Sequence, residues 1–238
     1  MGTLVRVVIE TREHDRADHA LRAAFGRLRE LDATLSDYKP DSELNRLCRA
    51  GRAQVSIDLF RNIEAAQSLA VATQGAFDIT IGDRTRSSTF RDVELDAKTR
   101  TVILHKPNMK LDLGAIGKGY AGDEMLRVLR AHGCRYSMIA LSGDIVVGEG
   151  GWHVMIEAAQ QTFELKNSAV STAGDTGRRH IRDARTGELV EQVWLVSVLA
   201  KTGLEADGLD TALRIIGEEE GRKLAAARHV KAWFRRVA

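Results

Sequence analysis

Runs of alternating and helix-periodic apolar residues divide the chain into short strands and amphipathic helices. Residues 3–10 alternate apolar with polar side chains and predict a first strand. Apolar residues within 16–35 recur at the spacing of one helical face, which predicts a helix. A second long helix is predicted between Ser56, a typical N-cap residue, and Gly75, a typical terminator. The N-terminal third is therefore expected to hold one strand and two long helices.

The remaining sequence predicts short strands in adjacent runs, separated by helices. Residues 75–83 are predicted as a loop that enters a short strand. Because strict βα alternation is absent, the pattern favours an α+β fold. No repeat or linker divides the chain, so one domain over 1–238 is expected. The predicted strands cover 93–96, 101–105, 109–113, 136–141, 152–157, 162–165, 193–200 and 229–236, and the predicted helices lie around Leu44 and Leu47, before Gly133, and over 204–217 and 218–228.

Composition excludes several classes of protein. The 35 basic and 33 acidic side chains leave a net charge of +2, which argues against a general nucleic-acid-binding surface. Two cysteines cannot build a disulfide framework or a four-thiolate zinc site. The first residues lack the apolar core of a signal peptide, and no stretch approaches the roughly 18 apolar residues of a membrane span. We therefore expect no membrane span and a cytoplasmic location for the chain as it stands, although an export signal ahead of it would be invisible.

The most informative segment is KLDLGAIGKGYAGD, residues 110–123. An acid, Asp112, and a cation, Lys118, accompany four glycines between a predicted strand and a predicted helix. Such a segment is a candidate phosphate site, because glycines allow close backbone approach and helix N-termini attract anions. Residues 117–122 also match G-x-G-x-x-G, with Asp144 after the next strand, so a nucleotide-dependent oxidoreductase stays open. Glycine after Lys118, in place of Ser or Thr, excludes a Walker A loop.

Three further clusters carry candidate chemistry, each with a plain structural alternative. Asp207 and Thr211 are four residues apart, so a helix presents two magnesium-type oxygen ligands on one face, although acids at a helix start are commonly caps. His180 lies in a polar loop close to Asp183 and is a candidate general base, although a lone histidine is commonly a surface residue. Phe77, beside a turn, could stack on a flat ligand or simply plug the core.

Taken in order, seven segments resemble the ApbE family, the FAD:protein FMN transferases. SGDIVVG resembles the family's G-G-D-I-x-x-x-G, VSTAGD its A-T-S-G-D, HIRDARTG its H-I-I-D-P-x-T-G, and EADGLDTAL its A-D-A-L-A-T-A-L. The resemblance implies an ApbE-like, T-fold-like α+β architecture of mixed sheets packed with helices. The segments are MGT (1–3), LSDYKPDSELNRL (35–47), GAFDITIG (75–82), KLDLGAIGKGYAGD (110–123), SGDIVVG (142–148), VSTAGD with HIRDARTG (170–187) and EADGLDTAL (205–213).

The resemblance implies a magnesium-dependent transfer of the FMN moiety of FAD to a Thr or Ser hydroxyl of an acceptor flavoprotein, with release of AMP. Mg²⁺ would be held by the backbone carbonyl of Ala115, the carboxylate of Asp207 and Thr211. His180 would accept the proton of the acceptor hydroxyl. The residues expected to contact FAD, the substrate, are Tyr38, Ala76, Phe77, Asp78, Asp112 and Lys118.

The chain departs from the family on the flavin and acceptor side. The family's longer stretch after GAFDxTxGP, often with a Trp-Gly-Phe-Gly element, is replaced by RTRSSTFRD at 84–92. The segment between Gly174 and His180 is short, and Ala184 stands where the motif has proline. These differences weaken the expectation of acceptor transfer more than that of FAD binding. The alternative is an FAD-binding protein or an FAD pyrophosphatase without acceptor transfer.

Overall fold

A computed structural model describes residues 4–83, 87–174, 181–190 and 194–237. Two short 3₁₀ helices cover Ile79–Gly82 and Phe90–Asp92. The α-helices are α1 (His14–Leu35), α2 (Glu43–Ala50), α3 (Ile57–Ala72), α4 (Gly117–Ala131), α5 (Gly203–Ile216) and α6 (Glu218–Ala227). The strands are β1 (Val5–Ile9), β2 (Arg52–Gln54), β3 (Val93–Asp96), β4 (Thr101–Leu104), β5 (Ser137–Leu141), β6 (Asp144–Val147), β7 (Trp152–Ile156), β8 (Gln161–Leu165), β9 (Ser168–Ala173), β10 (Trp194–Ala200) and β11 (Lys231–Arg236).

The largest sheet has six strands in the order β1-β5-β6-β9-β10-β11. A second sheet has the order β2-β4-β3, and β7 pairs with β8 as a separate hairpin. Every strand pair within the described ranges is antiparallel. This arrangement confirms the α+β prediction. It also argues against the oxidoreductase alternative, because a dinucleotide-binding fold is built from parallel βαβ units.

Different elements cover the two faces of the six-stranded sheet. One face carries Ile139, Val146 and Val196, which belong to the main core together with buried residues of α1, α3, α4 and α5. The opposite face carries Val147 and Val170, which pack with apolar residues of the β7–β8 hairpin. Successive residues of β6 thus point to opposite faces, as the period of a strand requires. Helices α4 and α5 therefore lie on the sheet face opposite the hairpin.

The start of α5 is held by side chains from two directions. Thr202, the N-cap residue, accepts a hydrogen bond through Oγ1 from Glu205 N at 3.3 Å. Asp123 of α4 accepts hydrogen bonds from Gly203 N at 2.7 Å and from Leu204 N at 3.0 Å. These bonds satisfy N–H groups that a helix leaves without intrahelical partners. They also join α5 to α4, the two helices that carry the candidate site.

Most of the predicted elements are present with small changes at their ends. The predicted cap Ser56 precedes α3, and its Oγ accepts a hydrogen bond from Leu59 N at 3.2 Å. The helix ends at Ala72, and Gly75 follows with a φ of 85°, as expected of a glycine near a helix end. None of the helices in the described ranges combines the length and the apolar composition that a bilayer span requires.

Two predicted strands are wrong. Residues 79–82 form a 3₁₀ helix, because Asp78 caps it by accepting a hydrogen bond from Thr80 N at 2.9 Å. Residues 109–113 belong to no strand. Their backbone instead makes isolated contacts, including Asp112 N to Ile79 O at 2.8 Å. Strands β2, β6 and β9 were not predicted. Strands β2 and β6 have only three and four residues, and β9 carries polar residues, of which Ser171 is buried.

Candidate active site

A cavity of about 800 Å³ opens where the first turn of α4, the middle of α5, the start of β6 and the end of β9 meet. Its walls come from segments that are far apart in the sequence. The α+β fold therefore brings together three of the clusters that were identified separately. The predicted site residues that line the cavity are Ala76, Phe77, Asp78, Asp112, Ala115, Lys118, Asp207 and Thr211.

The glycine segment enters α4 through internal hydrogen bonds. Asp112 Oδ1 accepts from Gly114 N at 2.7 Å, and Leu113 O accepts from Gly117 N at 2.9 Å. Gly119 N, in the first turn of α4, donates to Asp207 Oδ2 at 2.8 Å. These N–H groups are therefore already used by the protein. We expected free N–H groups at the start of α4 to bind a phosphate. The anion that the structure places there is instead the carboxylate of Asp207 from α5.

Two glycines let α4 and α5 cross at backbone contact. A Cβ added to Gly119 would lie 2.0 Å from Gly203 O and 2.7 Å from Asp207 Cβ. A Cβ added to Gly203 would lie 2.3 Å from Gly119 O. Only glycine allows such an approach of two backbones. The crossing brings Asp207 to the first turn of α4, so this pair of glycines serves packing and site geometry together.

Three buried carboxylates face one another beside Lys118. Asp144 of β6 and Asp207 and Asp210 of α5 each offer an oxygen, and these atoms lie within 4.8 Å of one another. All three residues are only 2% exposed. Lys118 Nζ lies 3.0 Å from Asp207 Oδ1 and 3.4 Å from Asp144 Oδ2, and it donates to Gly114 O at 3.1 Å. Lys118, whose side chain is partly exposed, thus forms ion pairs with two of the acids.

Burial and neighbouring charges shift the pKa values of Asp144, Asp210 and Lys118. Burial, together with the negative charge of Asp207, raises the pKa of Asp144 above its ordinary value. Burial and the charges of Asp207 and Asp144 raise the pKa of Asp210 as well. Burial by itself lowers the pKa of Lys118, but the charges of Asp207 and Asp144 outweigh it and raise that pKa. Lys118 therefore stays positively charged, but its single charge does not balance three carboxylates.

This group of oxygen atoms suits a divalent cation. Asp144 Oδ2 is buried and accepts no hydrogen bond from the part of the chain that the structure describes. Three ionised carboxylates against one ammonium give a net charge of −2 (three negative, one positive), which is unfavourable in a buried place. Magnesium prefers carboxylate and other hard oxygen ligands and carries the balancing charge. The residues present therefore fit the magnesium that the resemblance implies.

The segment around Phe77 forms another wall of the cavity. Phe77 is only 3% exposed, and its N–H donates to Thr73 Oγ1 at 3.1 Å. Both carboxylate oxygens of Asp78 accept backbone hydrogen bonds, one from Thr80 N at 2.9 Å and one from Phe90 N at 2.6 Å. Burial raises the pKa of Asp78 in spite of these bonds. Asp78 therefore holds this wall in shape, whatever contact it makes with a ligand.

The structure places the remaining predicted residues differently. Tyr38 is exposed outside the lining of the cavity, and its hydroxyl donates to Asp32 Oδ1 at 2.7 Å. Its contact with a flavin stays a prediction. His180 lies outside the described residues, so its role also stays a prediction. The next two residues along the chain, Ile181 and Arg182, line the cavity.

Three polar residues of the centre were not among the predicted ligands. Asp144 was considered only as the acid of a dinucleotide fingerprint, and Asp210 and Ser171 were given no role. Asp210 is three residues after Asp207, so helical spacing could have placed it on the same side of α5. Asp144 and Ser171 come together through sheet register, because Ile145 pairs with Val170 across β6 and β9. The sequence carries no sign of that pairing.

Comparisons with known proteins agree on one family. The ApbE family profile matches residues 1–234. The FAD:protein FMN transferase of Klebsiella pneumoniae (strain 342) is 29% identical over 94% of this chain and 79% of its own length. The enzyme of the same description from Treponema pallidum (strain Nichols) is 29% identical over 92% of this chain and 78% of its own length.

Solved structures agree on the fold. The flavin transferase ApbE from Vibrio cholerae superposes with a TM-score of 0.84 at 24% identity, covering 100% of this chain and 94% of the other. The apo form of the flavinyl transferase ApbE from Pseudomonas stutzeri gives a TM-score of 0.83 at 24% identity, covering 98% and 93%. At this level of identity the structures support the architecture alone, and the ApbE-like fold predicted from the sequence is confirmed.

Proposed function

The chain belongs to the ApbE family, and we propose that it is a magnesium-dependent FAD:protein FMN transferase. In the proposed reaction, a Thr or Ser hydroxyl of an acceptor flavoprotein attacks the phosphorus of the FMN half of FAD. A phosphoester bond forms to the acceptor as the bond to the AMP phosphate breaks, and AMP leaves. The single observation that carries the proposal is the shared cavity, which joins the Phe77 segment, the glycine segment and the acids of α5.

The residues of the cavity have complementary roles in this proposal. Asp207, Thr211 and the carbonyl of Ala115 would hold Mg²⁺, which supplies positive charge at the pyrophosphate when bound. Lys118 adds a permanent positive charge on the same side of the cavity. Asp112 keeps the backbone turn before α4 in place through its bond to Gly114 N. Phosphoryl transfer depends mainly on such positioning and charge neutralisation, so few other groups are required.

The proton of the acceptor hydroxyl needs a base, and His180 is the residue we propose for it. An unperturbed histidine titrates near neutral pH and can therefore accept a proton under ordinary conditions. The position of Ile181 and Arg182 in the cavity lining supports this assignment, since His180 directly precedes them. His180 would act on the hydroxyl of the acceptor as it attacks phosphorus.

The test is a transfer assay with purified protein, FAD, Mg²⁺ and an acceptor flavoprotein domain. We expect the intact mass of the acceptor to rise by the mass of the FMN moiety, with AMP appearing in equal amount. An acceptor with its threonine replaced by alanine is the matched control and should stay unmodified. If this chain leaves the acceptor unmodified while an established transferase modifies it, the transferase proposal is wrong.

The same assay separates the alternative function. An FAD pyrophosphatase would release FMN and AMP into solution without modifying the acceptor, because water would replace the hydroxyl. An FAD-binding protein would leave FAD intact. Free FMN and AMP are therefore measured in the presence and absence of acceptor.

A further inference from the structure

Two residues of the acidic centre, Ser171 and Asp210, have no part in the proposed set of magnesium ligands. Asp210 belongs to the group of three buried carboxylates, and Ser171 of β9 contacts two of those carboxylates.

Ser171 and Asp210 contact each other in the folded protein. Ser171 Oγ lies 2.5 Å from Asp210 Oδ2, although the residues are 39 positions apart. Ser171 Oγ also makes a short contact with Asp144 Oδ1, and Thr211 Oγ1 donates to Asp210 Oδ1 at 3.1 Å. Ser171 and Asp210 are each 2% exposed. The pair therefore links Asp144 on the sheet with Thr211 on α5.

The carboxylates of this cluster have too few hydrogen-bond donors and too little positive charge around them. Ser171 and Thr211 supply two hydroxyl protons for three hydroxyl–carboxylate contacts. Lys118 contacts Asp144 through an ion pair to Oδ2 at 3.4 Å, and among the described residues that oxygen accepts no hydrogen bond. A buried carboxylate is unfavourable unless its surroundings supply hydrogen-bond donors and positive charge. The serine supplies one donor, and a cation in the cavity would supply the charge.

We propose that Asp210 and Ser171 are a positioning pair that strengthens divalent-cation binding by this protein. Asp210 accepts a hydrogen bond from the hydroxyl of Thr211 and so orients the oxygen of that hydroxyl. Ser171 holds Asp144 in the same cluster. The charge of Asp210 adds to the attraction for the cation. The proposal rests on the proposed function, in which Asp207 and Thr211 hold magnesium. It extends that function to two residues outside the proposed set of ligands.

The experiment measures Mn²⁺ binding by the full chain without FAD, using electron paramagnetic resonance of the free Mn²⁺. The decisive variant is the double substitution Ser171→Ala with Asp210→Ala, which removes both polar side chains and their contacts with Asp144 and Thr211. We expect its dissociation constant for Mn²⁺ to be about 10- to 100-fold higher than that of the unaltered protein, as found for groups that orient metal ligands. Asp210→Ala alone should weaken binding less than the double variant does, because it keeps the contact between Ser171 and Asp144.

Further variants separate positioning from a role in folding. Asp210→Asn keeps an oxygen that can accept the hydrogen bond from Thr211 but removes the negative charge. We therefore expect its Mn²⁺ affinity to lie between those of Asp210→Ala and the unaltered protein. Thermal unfolding without metal is measured for each variant, since a merely structural role would change stability and leave the affinity of the folded protein unchanged. If Asp210→Ala does not fold, the double variant and Asp210→Asn still test the proposal.

Equal Mn²⁺ affinity in the double variant and the unaltered protein would overturn the proposal. Transfer activity is measured separately at saturating Mg²⁺. Active transfer with unchanged Mn²⁺ affinity would reject the positioning pair and leave the transferase function standing. A large loss of Mn²⁺ affinity with no transfer by the unaltered protein would support the pair and count against the transferase function.

Discussion

Asp207 is the residue on which the geometry of the candidate site depends most. One carboxylate oxygen faces the ammonium of Lys118, and the other accepts the N–H of Gly119 at the start of α4. The same side chain belongs to the group of three acids that suits a divalent cation. A single carboxylate thus joins a helix start, a lysine and the proposed metal, and a change of its charge should affect all three.

Replacement of Asp207 by asparagine tests this dependence. The amide keeps the size of the side chain but loses the negative charge and places an N–H₂ group where an acceptor stood. We expect the Mg²⁺ concentration for half-maximal transfer to rise by at least about 100-fold, the upper range for groups that only orient ligands. The measurement is the initial rate of transfer as a function of Mg²⁺ concentration.

Glu205→Gln is the matched control for that substitution. Glu205 is an acid on the same helix, in its first turn, and lies outside the lining of the cavity. Its replacement should leave the Mg²⁺ dependence unchanged. An unchanged Mg²⁺ dependence in Asp207→Asn would contradict the ligand assignment.

Asp123 is a second informative residue, because it caps a helix while being largely buried. Its two oxygens accept hydrogen bonds from Gly203 N and Leu204 N. Burial raises the pKa of Asp123 to about 6, since its effect is larger than that of the two backbone bonds, which lower the pKa. The folded protein therefore holds this proton more tightly than the unfolded chain does.

The raised pKa of Asp123 predicts how stability depends on pH. Between pH 3.8 and about 6 the folded state binds more protons at Asp123 than the unfolded state, so its contribution to stability falls as the pH rises. We compare the free energy of unfolding in urea with that of Asp123→Asn, without added metal. The difference, native minus variant, should fall by at most about 3 kcal/mol across this window and stay constant above it. A difference that increases with pH would contradict the prediction.

At the scale of elements, the crossing of α4 and α5 organises the site. The two helices meet at Gly119 and Gly203, and they are further joined by Asp123 and Asp207. Gly122, one turn after Gly119, lets α4 approach the sheet, since a Cβ there would lie 2.7 Å from Val146 Cγ2. Two of the three glycines of the G-x-G-x-x-G match, Gly119 and Gly122, are thus accounted for by helix and sheet packing.

Gly119→Ala tests the importance of the crossing. The added methyl group has no space beside Gly203 O, so the helices must separate. We expect the free energy of unfolding to fall by at least about 1–3 kcal/mol, the usual cost of overpacking, and transfer activity to be lost. Urea unfolding and the transfer assay measure the two effects.

Gly26→Ala provides the control for a glycine within a helix. A Cβ at Gly26 of α1 would meet nothing within 4 Å. Alanine is the better helix former, so this variant should be neutral or more stable by about 0.5–1 kcal/mol. Equal destabilisation by both substitutions would show that the crossing has no special role.

At the scale of the whole molecule, the antiparallel sheet brings separate segments to one end of its strands. Strand β6 begins, and strand β9 ends, beside the cavity, while α5 lies over the same region. The Phe77 segment completes the wall from the N-terminal half of the chain. Because the cavity is shared among distant segments, occupation by a ligand should stabilise the fold as a whole.

Ligand binding therefore predicts a change in thermal unfolding. FAD with Mg²⁺, at about 100 times its dissociation constant, should raise the melting temperature by roughly 5–10 °C for a chain of this size. FAD with a metal chelator should give a smaller rise, and NAD should give none. Differential scanning calorimetry measures these shifts. An equal rise with NAD and with FAD would favour the nucleotide-dependent oxidoreductase instead.

The sequence predicted most elements because their local signals agree with the fold. Ser56 before α3 and the apolar stripe of α1 are of this kind, since caps and helical spacing act within a few residues. Residues 79–82 and 109–113 were predicted wrongly, because most of their apolar residues are buried without strand partners in the part of the chain that the structure describes. Burial alone does not distinguish a strand from an irregular buried segment.

The sequence by itself determined the α+β class, the family resemblance and the candidate residues, because these follow from local periodicity and from ordered motifs. Only the tertiary structure decided that the first turn of α4 binds the carboxylate of Asp207, and that Asp144, Asp210 and Ser171 join the same centre. These contacts join residues 27 to 88 positions apart. They depend on sheet register and on the close approach of two glycines, which no local pattern encodes.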